Sequence, residues 1–195
     1  MTSFEGIRKH VIDRLKKELS TDLTYHNVAH TLDVLEQVHE IALSEGIKDA
    51  ENLLLLQTAA LYHDIGFITV YTGHEERSCE IVRHELPVFG YTEGQTETIC
   101  NLIKATKVPQ KPRNVLEQIM CDADLDYLGR DDFFNIGTGL YKEFRDQKIV
   151  ENDTEWNLLQ IRFLEGHCYF TNTSKGRREA KKQKHLEVIK IKILT

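Results

Sequence analysis

The chain has 195 residues, enough for one domain with a sizeable core, and its 41% hydrophobic and 29% charged residues are ordinary for a water-facing globular protein. A net charge of −6 argues against a nucleic-acid polymer as partner, and the longest uncharged apolar run, 53–63, is too short to span a bilayer. Four cysteines (79, 100, 121 and 168) without CxxC spacing, and the charged opening "MTSFEGIRKHVIDRLKKELS", predict reduced thiols, no secretory signal and a cytoplasmic location.

Helical periodicity dominates from the start. Residues 4–20 place Phe4, Ile7, Val11, Ile12, Leu15 and Leu19 on one face. After the breaker "STDLTY" the spacing predicts a helix over 26–45 that stops at Gly46. Asp49 suits the cap of the next helix, which runs to about Asp64 and ends at Gly66. Further helices are predicted from Gly73 or His74 to Pro87, over 93–106 as far as "KVPQKP", and from Asn114 to about Leu128. Three more follow at roughly 131–148, 153–170 and 174–193. "FITVYT" (67–72) is β-rich but short, and no repeat or domain boundary interrupts the pattern. The expectation is one all-α domain over 1–195, with eight or nine helices.

Three short stretches carry chemistry. In "YHNVAHTLDVLE", His26 and His30 are four apart, so a continuous helix would put them on one face. In "LLLLQTAALYHDIG", an uncharged helix leads straight into His63 and Asp64. Such a helix belongs in the interior, and a carboxylate buried there requires a partner, either a Lys or Arg or a metal ion. In "IMCDADLDYLGR", the helical wheel sets Asp124 in the apolar stripe with Met120, Ala123, Tyr127 and Leu128, and turns Asp122 and Asp126 towards solvent or Arg130. Together His30, His63, Asp64 and Asp124 form a two-imidazole, two-carboxylate set suited to a six-coordinate divalent ion such as Mn, Fe, Co, Ni, Mg or Zn. The basic segment 175–192 reads as a solvated helix face or as cations fringing an anionic substrate. His39, His84 and His167 read as structural histidines, and Trp156 with Phe163 as a packing stripe.

The order H…HD…D, with "HDIG" second and "DAD-L" third, resembles the HD superfamily of metal-dependent phosphohydrolases, over about 25–130, with the helices of 131–195 outside the motif core. The resemblance implies that His30, His63, Asp64 and Asp124 are metal ligands, and that the protein hydrolyses a small phosphorylated substrate, in particular a nucleotide. "YHNVAHTLDV" is also similar to the opening motif of cyclic-nucleotide phosphodiesterases, which implies His26 as proton donor to the leaving oxygen. Their further His after HD is replaced here by "IGF". "GHEERSCEIV" resembles the segment in which a histidine, here His74, binds a second metal or the substrate phosphate. Two-metal relatives carry a His-His pair one helix later; this chain has "NLIKATKVP", which favours one metal over two and offers Lys104 and Lys107 to the phosphoryl charge. The contrasting expectation is a non-catalytic regulatory or scaffold domain that keeps the metal, or only the fold, without turnover.

Overall fold

The computed structural model describes residues 4–194. Among these, the chain forms α1 (Phe4–Glu18), α2 (Val28–Ser44), α3 (Ala50–Tyr62), α4 (His74–Glu85), α5 (Glu93–Ala105), α6 (Val115–Asp124), α7 (Phe133–Asp146), α8 (Asp153–Gly166) and α9 (Asn172–Leu194). Single 3₁₀ turns cover Ile65–Ile68, Leu86–Phe89 and Asp126–Gly129, and no described residue is in a strand. The all-α expectation holds, and "FITVYT" begins in a 3₁₀ turn. No helix among the described residues is long and apolar enough to cross a membrane.

Helix α3 lies at the centre, as its uncharged sequence requires, and packs against α1, α2, α5 and α6. Leu55, Leu56, Ala59, Ala60, Leu61 and Tyr62 are all buried. Capping residues set the helix starts. Asp49 accepts from the Asn52 amide at 2.8 Å, Asn114 from the Glu117 amide at 3.0 Å, and Thr92 forms a reciprocal capping box with Gln95. A second apolar core joins Tyr25, Leu125, Tyr127, Leu128 and Phe133 to Leu164, Tyr169, Leu186 and Ile189.

Several boundaries differ from the sequence reading. Helix α2 starts at Val28, because Asn27 takes the cap: its side chain accepts from the amides of Ala29 and His30 at 2.9 and 3.3 Å. His26 therefore precedes the helix. Helix α6 ends at Asp124 and gives way to a 3₁₀ turn, so the wheel fails beyond that point. Asp122 and Asp126 do not face solvent; both are buried. Asp122 accepts from the amides of Phe170 and Thr171 and from the Thr171 hydroxyl, at 2.7–2.9 Å. Asp126 accepts from Arg178 at 2.8 Å. Helix α8 stops at Gly166, and an extended segment then carries Tyr169 into the second core.

Five cations of α9 are held by acids of the body or of their own helix. Arg177 pairs with Glu40, Arg178 with Asp126, Lys182 with Glu179 and Lys190 with Glu165, while Lys181 pairs with Asp131. Cys79, Cys100 and Cys121 are buried free thiols and Cys168 is exposed.

Candidate metal centre and its cavity

Three central elements converge on one point. His30 comes from the first turns of α2, His63 from the C-terminal end of α3, Asp64 from the next residue, and Asp124 from the last residue of α6. One donor atom from each of His30, His63 and Asp124 lies within 4.8 Å of the other two. The two Nε2 atoms of His30 and His63 face each other at 3.2 Å. Asp64 Oδ2 lies 3.3 Å from the first and 3.2 Å from the second, and Asp124 Oδ1 lies 3.3 and 3.5 Å from them.

The local contacts suit metal ligation. His63 Nδ1–H donates to the Ala60 carbonyl at 2.8 Å, which orients the ring so that Nε2 faces the centre. Asp64 Oδ2 is buried yet has no well-directed hydrogen bond, and a buried carboxylate oxygen left so calls for a cation. In the metal-free protein the imidazoles supply that positive charge. Burial alone depresses His30, but the adjacent Asp124 and Asp64 carboxylates override it and lift the imidazole to about 9. His63 is likewise raised despite burial, first by the charge of Asp64. The same pairing overcomes burial and holds Asp124 down to about 2 and Asp64 well below the usual carboxylate range. A divalent ion bound here replaces those protons.

Around this centre stand further groups. His74 opens α4, and its Nε2 lies 3.4 Å from Asp64 Oδ1 and 3.7 Å from the buried Glu75 carboxylate. The Phe67 ring stacks on His74 at 3.9 Å and on His26 at 4.3 Å between centroids. Gly66 permits this layout: a Cβ there would sit 2.1 Å from the His74 carbonyl oxygen.

His26 is brought beside His30, with ring centroids 6.0 Å apart, by a route the helical spacing did not foresee. Its anchor is Glu143 of α7, which is fully buried. Glu143 accepts from His26 Nδ1–H and from the Tyr25 and His26 amides at 3.0 and 3.1 Å. The Tyr71 hydroxyl also donates to it, at 2.9 Å. Against the effect of burial, the His26 contact keeps Glu143 below its ordinary pKa, so it stays ionised. With Nδ1 engaged, Nε2 is the nitrogen left for chemistry. The sequence reading missed Glu143, although it lies three residues after Leu140 and seven after Ile136, on the apolar stripe of α7. The wheel argument that selected Asp124 selects it too.

The centre opens into a cavity of about 520 Å³. His26, Asp64, His74 and Asp124 line its metal end, while Phe133, Leu140, Phe144, Trp156, Phe163 and Leu164 line it from α7 and α8. Trp156 and Phe163 are thus cavity wall as well as packing. Lys107 also lines it and pairs with Glu76 at 2.6 Å. Lys104 does not reach it: the side chain is exposed on the last turn of α5, outside the lining. Arg130 bridges Asp33 and Asp132 at 2.7 and 2.9 Å, as a local salt bridge.

Comparisons with known proteins identify the family and the fold. The sequence matches the HD domain over residues 27–126. The fold is similar to the crystal structure of a predicted HD superfamily hydrolase from an uncultured Thermotogales bacterium. The TM-score is 0.63 at 19% identity, covering 95% of this chain and 91% of the other. No curated protein matches the chain.

Proposed function

The chain belongs to the HD-domain family, and on that footing we propose that it is a metal-dependent phosphohydrolase acting on a small phosphate ester. The observation that carries this reading is the convergence of His30, His63, Asp64 and Asp124, with a buried Asp64 oxygen lacking a well-directed hydrogen bond, where Asp64 and Asp124 line a cavity of about 520 Å³. His30, His63, Asp64 and Asp124 would hold one divalent ion. When bound, that ion supplies Lewis acidity and a water of lowered pKa.

The remaining steps fall to the chain's own groups. His26, oriented by Glu143 through Nδ1, presents Nε2 to the leaving oxygen and gives it a proton. His74 and Lys107 face the phosphoryl charge from the cavity wall. Asp64 or Asp124 orients the attacking water, and the apolar far wall limits competing water.

The deciding experiment is hydrolysis of a panel of phosphate mono- and diesters with added Mn or Co, together with metal analysis of the purified protein. Wild type is expected to turn over at least one ester and to retain about one ion per chain, and Asp64→Ala is expected to do neither. Equal rates in the two proteins would overturn the proposal. A metal-free protein whose stability is unchanged by Asp124→Ala would instead be a non-catalytic regulatory domain.

A further inference from the structure

The polar and apolar groups of the cavity are segregated. Its charged and imidazole lining comes from outside α7 and α8, in His26, Asp64, His74, Glu75, Lys107 and Asp124, with the hydroxyls of Tyr25, Tyr71 and Tyr127 beside them. Beyond them, α7 and α8 contribute aromatic and aliphatic side chains, with Gln160 as the polar exception. A nucleoside placed there would bury several ribose hydroxyls and base edges against walls on which Gln160 is the one polar side chain, at about 1–3 kcal/mol for each group left unpaired. A polyphosphate would need several cations, whereas Lys107 is shared with Glu76 and no Lys or Arg of α9 lines the cavity. The volume falls within the roughly 300–1,000 Å³ of sites that enclose drug-sized molecules.

We infer that the cavity takes the organic half of the substrate, and that this half is an apolar alcohol, so that the substrate is an alkyl, prenyl or aryl phosphate monoester rather than a nucleotide. This inference rests on the phosphohydrolase reading for its reaction and on the apolar wall for its substrate class. In the reaction, water adds its oxygen and one hydrogen to phosphorus as the P–O ester bond breaks. His26 gives its proton to the leaving alcohol oxygen, and the second proton of the water restores it through solvent. No group is oxidised or reduced.

The chain has one tryptophan, Trp156, and it lies on this wall, so its emission reports occupancy without turnover. The probes are methyl-, butyl-, hexyl- and octylphosphonate and adenosine monophosphate, titrated with Mg present and below micelle-forming concentrations. Kd is expected to fall about 4-fold per added methylene until the wall is covered, with a blue shift of Trp156 emission. Adenosine monophosphate is expected to bind no more tightly than butylphosphonate. A Cβ at Gly137 would meet Gln160 and Trp156 only at ordinary contact distances of 3.8–4.0 Å, so Gly137→Leu projects into the cavity and is expected to flatten the chain-length series. Gly137→Ala is the folding control. A Kd independent of chain length in wild type, or adenosine monophosphate binding more tightly than octylphosphonate, would overturn the inference. A steep series with no hydrolysis of octyl phosphate would retain the apolar site and overturn the phosphohydrolase reading alone.

Discussion

The two apolar cores of the molecule differ in what they surround. The first, built from α1 to α6, closes around α3 and brings His30, His63, Asp64 and Asp124 to one point. The second, built from the 3₁₀ turn after α6 together with α7, α8 and α9, forms the wall opposite that point and supplies Glu143. The ligand set therefore belongs to a region with a short, recognisable motif order. The features that orient His26 and shape the substrate space belong to a region without one. On the proposed reading, chemistry and selectivity fall to separate parts of the chain.

The sharpest way to break this division is at the metal centre. Asp124→Ala is expected to lower kcat by ~10³-fold or more and to abolish retained metal, since it removes a ligand and leaves two imidazoles facing one carboxylate. Near-normal turnover in that variant would place the chemistry elsewhere. Next comes packing within the first region. Gly66→Ala puts a methyl on the His74 backbone and is expected to cost about 1–3 kcal/mol in denaturant unfolding. An unchanged midpoint would show that α4 yields freely.

The link between the regions is tested by Glu143→Gln, which keeps the shape and removes the charge that orients His26. A loss of about 10–100-fold in kcat is expected, with KM nearly unchanged and an altered kcat–pH profile. A matching loss of stability with an unaltered pH profile would make Glu143 merely structural.

The smallest effect lies in the second region alone. Burial, aided by the nearby Lys182 ammonium, pushes the His167 imidazole down to about 4. Its folded pKa lies below its unfolded value of 6.5, so the unfolded chain binds more protons between those values. Stability is therefore full above 6.5 and falls as the pH is lowered towards 4, by about 2 kcal/mol between pH 7 and 5. His167→Phe is expected to flatten that slope in urea titrations at the two pH values.

Much of the first region was legible in the sequence because its signals are local. An uncharged helix must lie inside, and a carboxylate at its end must have a partner. Asp124 could be selected from the stripe of its own helix. The same wheel misplaced Asp122 and Asp126, because an isolated helix does not know that Thr171 and Arg178 arrive from some fifty residues away. His26 was paired with His30 through a helix that Asn27 in fact starts later. Its real anchor, Glu143, stands 117 residues along the chain. Lys104 looked available because helix-end cations are easily assigned to a phosphate. Its outward direction depends on how α5 packs, which its spacing alone does not specify.

One consequence follows from the Phe67 ring. It stacks on both His26 and His74, whose own ring centroids are 6.1 Å apart, so the proposed proton donor and the group proposed to face the phosphoryl share one packing partner. Thinning it, as in Phe67→Leu, loosens both imidazoles at once. One side chain therefore couples the positions of the two histidines proposed to act on the ester.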